Sequence, residues 1–569
     1  MPSSTSWISA SPLVPIVILT ALALPYCINL GVPRLWDPNE AFYAETPREM
    51  LETGNFIAPQ FNYRPRTQKP PLTYWAILAC YKAFGISEFS VRLPAAVASI
   101  GLIFYVYAIG KTLFSQAGGL IGAAVAATTF RTIALARRLP IDALLLFWLI
   151  GTAYFMIRGI RTGSRVNWAT AYCLAAFGTL TKGPMAVAIP AAAYLIWAIW
   201  NRSIFRSSVY PLMGCGILLA LVSPWYLLTY LSSGWEYIAP FFLKDNLGRF
   251  AGESFGPKRG VFFYVGNYIA DFLPWSLLSF AGIACLWARE KSFRSLSVLA
   301  WGYPLVWCGS IFLFFSLSRN KQFYYIASIY PMMAVLLGGV FERSLIARDR
   351  QMPKWERYTW QTAFFASSMV LIAAAFVILF LLPAVVPIPG TMLYYFPSGI
   401  LLAGAAFLGW CALRSRWTYA TATLILSLWF VNVTAVCFYL PRLDQFHPVR
   451  DLCGIIESRL QAGDEVGYYR VAVPSMAFYL RRPIFEEVDP QPMLRRLQSS
   501  ARVFCILSEE EYKYFSARGD VSLRELNRRP RYITQLSRLL RRGSQARPWL
   551  LLVTNRPSDP PPVWDREGQ

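Results

Sequence analysis

The chain has 569 residues, of which 56% are hydrophobic and 16% aromatic while only 15% are charged, and its mean hydropathy is +0.40. Those proportions exclude a soluble globular protein and set the class as a polytopic α-helical membrane protein. The formal net charge of +23 sits largely in short loops between apolar runs, where cytoplasmic retention of Lys and Arg accounts for it, so nucleic acid is not the partner it implies.

Apolar runs of about 20 residues, the length that crosses a bilayer, predict about thirteen transmembrane helices. In chain order they lie near 8–30, 91–113, 116–136, 141–158, 166–181, 184–200, 208–231, 268–288, 296–316, 323–341, 361–385, 394–413 and 417–440. The first run lacks a basic start and reads as an anchor rather than a cleaved signal. Most of the 10 cysteines lie inside these runs as small core residues; Cys453 and Cys505 share the tail, where no spacing rule pairs them.

Orientation follows from the basic loops. Arg158, Arg161 and Arg165, then Arg202 and Arg206, then Arg289, Lys291 and Arg294, then the cluster from Arg343 to Arg357, then Arg414 and Arg416 fall on one side, which is the cytoplasmic one. The expected location is therefore the cytoplasmic (inner) membrane of a bacterium, multi-pass. The first loop, 31–90, and everything after Pro441 then face the periplasm.

That first loop holds the densest chemistry in the chain, RLWDPNEAFYAETPREMLETGNFIAPQFNYRPRTQKPPLTYW. Acids, bases and aromatics crowded between membrane spans suit a charged, amphipathic substrate at the membrane surface. A second polar loop covers 232–267. Residues 1–440 read as the transmembrane domain, and 441–569 as a small extracytoplasmic α/β domain: VGYYRV and VFCILS are strand-like, PMLRRLQ and EEEYKYF helix-like, WLLLVTN follows near the end, and the Pro-rich end reads as disordered. No glycine-rich phosphate loop and no internal repeat occur.

The string DPNEAFYAETPREML, followed by KPPLTYW and SEFSVRLPA, resembles the first outer loop of the bacterial aminoarabinose transferases and protein O-mannosyltransferases, members of the C superfamily of glycosyltransferases. RRLPIDALLLFW, GTLTKGPMA, PWY, NLGRF, LPWS, FFSLSRNKQFYYIASIYP and FYLRRPIFEE follow in the family's order, so the resemblance covers essentially the whole chain. It implies transfer of a sugar from a polyprenyl-phosphate donor to an extracytoplasmic acceptor, a lipid A-like glycolipid or a protein, with inversion at the anomeric carbon. Membrane lipids are the remaining partners. A non-catalytic lipid transporter or flippase is the alternative from another class, but it needs charges along several helices rather than in outer loops.

The family's loop carries an Asp-Glu pair, and the aligned residues here are Asn39 and Glu40. An amide accepts no proton, so the carboxylate role passes to Asp37 or Glu40, with Asp37 preferred; its bland alternative is a cap on the helix that starts near Glu40. Glu45 and Glu49 read as a solvated helix face. Asp142, at an outer membrane boundary, matches a second family acid, with a salt bridge to Arg138 as the bland alternative. Lys69, set by Pro70 and Pro71, is grouped with Arg138, Lys182, Arg249 and Lys321 as candidate phosphate clamps, and Tyr43 and Tyr325 as hydrogen-bonding partners of the phosphate. Basic residues that snorkel to headgroups are the competing explanation. Some relatives hold a divalent ion with a Glu and a His, where this chain has Gln68 and Asn246. Its one histidine is His447, so no metal or other cofactor is expected, a carboxylate site for magnesium being the exception left open.

Overall fold

In a computed structural model of the chain, residues 13–138, 140–202, 209–248, 259–289, 298–346, 352–385, 390–531 and 548–557 are described. Arg249, the basic loop residues Arg206, Lys291 and Arg294, and the Pro-rich end of the tail lie outside them. Within the described residues every predicted apolar run contains helix, although the run at 323–341 is helical only from Ile329. Seven helices are long and apolar enough to cross a membrane, and nine if each of two bent pairs is one span; Leu13–Cys27 and Met185–Trp200 are apolar but shorter.

The runs at 116–136 and 268–288 are not straight, as their sequence suggested. Gln116–Thr128 and Phe130–Arg138 meet at 61°. The hydroxyls of Thr128 and Thr129 donate back to the carbonyls of Ala124 (2.8 Å) and Val125 (2.7 Å), a competition with the helix ladder that bends it. Phe263–Asp271 and Trp275–Ala288 meet at 107° around Pro274, which has no N–H to continue a helix. The two bends are joined: Arg131 donates to both oxygens of Asp271 (2.7 and 2.6 Å from Nη2), and the Tyr330 hydroxyl donates to Asp271 at 3.0 Å. Charges that would be costly alone near lipid are thereby paired.

Helix Ile329–Phe341 is the most deeply embedded, with every residue buried. It approaches Gln116–Thr128 so closely that a Cβ on Gly338 would stand 2.1 Å from the Gly118 carbonyl oxygen. Small residues at such crossings let helices gain van der Waals contact where lipid supplies no hydrophobic drive.

After the last apolar helix the chain forms a five-stranded sheet in the order Phe485–Glu487, Glu465–Tyr469, Val503–Ser508, Trp549–Thr554, Arg524–Pro530. The first three strands are parallel and the last two pairings antiparallel. Strand Val503–Ser508, central and buried along most of its length, carries the continuous apolar run that such a position demands. Cys453 and Cys505 are both buried and free. The sheet and the first loop share one apolar core: Phe61 is buried among Val449, Leu452, Val473 and Ile484, with Phe42 packed against them. Asn62 donates to the Ile484 carbonyl (2.7 Å) and accepts from its N–H (2.9 Å), as a neighbouring strand would.

Candidate functional site

The first loop folds into helix Asn39–Thr53, the short paired strands Gln60–Phe61 and Arg64–Pro65, and helix Leu72–Phe84. Its carboxylates hold this unit together, and two of them correct the sequence reading. Glu45 and Glu49 are not on a solvated face; both are fully buried. Glu45 takes a forked pair of bonds from Arg48, each 2.7 Å. Glu49 accepts from the backbone N–H of Asn62 (2.6 Å) and Tyr63 (3.0 Å), the two positive-φ residues between the strands.

Glu40 is removed from the candidates for proton acceptance. It is 1% exposed, and its oxygens are taken by Arg92 at 2.5 and 2.9 Å and by the Trp36 N–H at 2.9 Å. Arg92 also donates to the carbonyls of Leu30, Pro33 and Arg34, so the pair locks the entry of the chain into the loop. A base has to reach its substrate, and this carboxylate is neither exposed nor unengaged.

Asp37 does not cap the helix that follows it, which begins after Pro38 without a side-chain cap. It accepts from the Ser475 N–H (2.9 Å) and hydroxyl (2.5 Å) in the tail. Burial lifts its pKa to about 7 against the pull of those two bonds. Two of a carboxylate's roughly four acceptor positions remain. Beside it, Trp36 stands between the Arg138 guanidinium, 3.2 Å from its ring centre, and the His447 ring at 4.1 Å. Burial and the Arg138 charge hold His447 down at about 4, so it is neutral at pH 7. The neighbouring Arg137 instead closes the end of helix Leu13–Cys27, donating to the carbonyls of Pro25 (2.9 Å) and Ile28 (2.7 Å).

Asp142 pairs with Lys182 and not with Arg138. The Lys182 ammonium also lies 5.2 and 5.6 Å from the ring centres of Tyr324 and Tyr325. These side chains form the polar end of a narrow pocket whose remaining wall is apolar, with Leu145, Leu149, Met185 and Phe315 among its residues. Tyr43, buried and stacked 5.8 Å from Tyr74, is close enough to feel the charges of both Asp142 and Arg66, and burial pushes its hydroxyl well above the ordinary range.

Two further clamp candidates among the described residues bond backbone carbonyls. Lys69 donates to the Gln68 carbonyl (2.8 Å), and the buried Lys321 donates to the Ser318 carbonyl while burial lowers its pKa. The structure thus brings Asp142, Lys182, Tyr325 and Tyr43 together, sets Asp37 and Arg138 at the loop-tail seam, and gives Glu40 to the scaffold. Sequence reasoning passed over Arg66, whose one signal was a third cation within the string RPRTQK.

Among the described residues no three His, Cys, Asp or Glu side chains converge as a metal site. Gln68 presents an exposed amide, and the single imidazole, His447, lies tilted against Trp36 at 4.1 Å. A His-containing site of the kind held by relatives does not fit these residues.

Known proteins share this layout. Residues 68–227 match the family model described as dolichyl-phosphate-mannose-protein mannosyltransferase. An uncharacterized protein of Aquifex aeolicus is 30% identical over 325 residues, 56% of this chain and 62% of that protein. The undecaprenyl phosphate-alpha-4-amino-4-deoxy-L-arabinose arabinosyl transferase 1 of Pseudomonas fluorescens is 28% identical over 338 residues, 58% of this chain and 60% of that protein. The chain therefore spans about three-fifths of the length of these curated relatives. The crystal structure of ArnT from Cupriavidus metallidurans bound to undecaprenyl phosphate superposes with a TM-score of 0.75 at 18% identity, covering 98% of this chain and 99% of that one. The chain is thus similar to aminoarabinose transferases in sequence over somewhat more than half its length, and it shares the fold of the ArnT structure over nearly all of it.

Proposed function

We propose that the protein is a membrane glycosyltransferase that moves a sugar from a polyprenyl-phosphate donor to a lipid A-like glycolipid outside the cytoplasm. The observation that carries this reading is the pocket in which Asp142, Lys182 and Tyr325 close one end of an apolar chamber. A polyprenyl phosphate has that same polarity, a charged head on a hydrocarbon chain. The relatives named for undecaprenyl-phosphate donors support the same class.

In this mechanism Asp37 accepts the proton of the acceptor hydroxyl, the acceptor oxygen bonds to the anomeric carbon, and the bond from that carbon to the donor phosphate breaks. The electron pair stays on the phosphate. Its charge is met by Lys182, Arg138, Lys69, Lys321 and Arg249, with hydrogen bonds from Tyr43 and Tyr325, while Asp142 orients Lys182. A carboxyl poised near 7 is suited to taking a proton at neutral pH. We infer thirteen crossings with the loop 31–90 and the domain 441–569 on the periplasmic face of the inner membrane. The basic loops support this orientation, and the shared core of loop and tail puts those two segments at one end.

The test is transfer by the purified protein in nanodiscs, given an undecaprenyl-phosphate-linked, radiolabelled sugar and lipid A. Label should appear in the glycolipid fraction. Label in co-supplied protein instead would favour the protein acceptor, the reading that the matched family model suggests. Transfer only from nucleotide sugars would overturn the proposal.

A further inference from the structure

Most of the buried cations among the described residues are matched to a carboxylate or to several carbonyls: Arg48 to Glu45 and Glu52, Arg92 to Glu40, Arg131 to Asp271, Lys182 to Asp142, and Arg137 to the end of the first helix. Arg66 is different. It is 8% exposed, and its side chain makes one hydrogen bond, from Nε to the Tyr74 hydroxyl at 2.9 Å. It has no ion-pair partner among the described residues. The guanidinium face lies 4.3 Å from the Phe42 ring centre, so its plane is held while the two Nη groups stay uncommitted.

The backbone around it is equally fixed. The Arg66 N–H donates to the Pro59 carbonyl (2.9 Å), and the buried Tyr237 hydroxyl bridges the carbonyls of Pro59 (2.6 Å) and Arg66 (3.1 Å). The charge of Asp245 reaches Arg66 but makes no ion pair with it, and a buried guanidinium without a paired anion is costly unless one reaches it. Two rigid aromatic supports and an anchored backbone direct that charge instead of letting it snorkel to water. Its setting points to the same substrate: Tyr74, which accepts from Arg66, is stacked 5.8 Å from Tyr43, and Tyr43 in turn feels the charges of both Arg66 and Asp142.

We propose that Arg66 is a substrate-binding residue whose Nη groups take a phosphate oxygen of the lipid-linked donor, across Tyr43 from Lys182. This rests on the donor reading above. A planar fork is suited to bidentate contact with phosphate, and Lys in its place keeps the charge without that geometry.

The experiment measures binding of undecaprenyl phosphate, with undecaprenol as the neutral control, to the full-length protein in nanodiscs without any acceptor. Arg66→Gln should weaken undecaprenyl phosphate binding roughly tenfold or more, the scale of a lost hydrogen bond to a charged group. Its affinity for undecaprenol should be unchanged, and Arg66→Lys should recover part of the loss. Tyr74→Phe removes the Nε contact but keeps the charge, so it should retain most of the binding. If Tyr74→Phe falls as far as Arg66→Gln, or if Arg66→Gln loses undecaprenol equally, Arg66 is a scaffold residue and the assignment is wrong. If the wild type binds undecaprenyl phosphate while Arg66→Gln binds it as tightly, this assignment alone fails. Wild-type protein that does not distinguish the phosphate from undecaprenol overturns the donor reading itself.

Discussion

The carboxylate of Asp37 in the first loop receives both the N–H and the hydroxyl of Ser475, 438 residues later, at 2.9 and 2.5 Å. The acid proposed to accept the acceptor's proton is also the latch between the loop and the tail, and its two roles depend on pH in opposite directions. Its folded pKa, about 7, is above the ordinary 3.8. Its contribution to stability is therefore complete below 3.8 and is lost as pH rises through about 7, whereas only the ionised form accepts a proton. Transfer should rise with pH with a step near 7 while thermal stability declines over the same window. Asp37→Asn should abolish both trends and lower turnover by roughly 10²-fold, the scale of a lost general base. Ser475→Ala, which removes the hydroxyl bond to the carboxylate and keeps the backbone one, should move the step to higher pH. PH–rate profiles and thermal melts of the three proteins check this, and an Asp37→Asn enzyme with full turnover would sink the assignment.

Asp142 and Lys182 are both largely buried, so each is the other's compensation. Asp142→Asn and Lys182→Met should each destabilise the protein by about 3–5 kcal/mol, the cost of an orphaned buried charge. The double variant should lose clearly less than the sum of the two. Denaturation of the four proteins in detergent measures the coupling. Additive losses would mean that the pair is not an energetic unit.

Metal removal is a third check. With Gln68 and Asn246 where relatives have a Glu and a His, transfer should persist in excess EDTA. Loss on chelation and recovery with zinc or magnesium would reveal a carboxylate site and overturn the metal-free mechanism.

The crossing of Gly118 and Gly338 leaves no room for a side chain. Gly338→Ala should cost about 1–3 kcal/mol, the usual penalty of overpacking, since the atom met is backbone and cannot rotate away. Melting temperature in detergent measures it, with Gly309→Ala, where a Cβ meets nothing within 4 Å, as the control.

The amino-acid sequence by itself determined the class of protein, the helical runs and the strands Glu465–Tyr469 and Val503–Ser508. Each of these is written in local pattern: apolar length for a span and a continuous apolar run for a buried strand. The type of a residue also showed what it cannot do, as with the amide of Asn39.

Only the tertiary structure decided the partners. Glu40 and Asp37 stand three residues apart and look interchangeable in sequence, yet one is locked on Arg92 and the other bonds Ser475. Glu45 and Glu49 look solvated because Arg48 and the turn at Asn62 that bury them become neighbours only when the loop folds. Arg66 looks like any loop cation until the structure leaves it buried without an ion pair. A charge's role is set by which opposite charge, carbonyl or ring lies within a few ångströms of it, and those neighbours come from segments that the linear order keeps far apart.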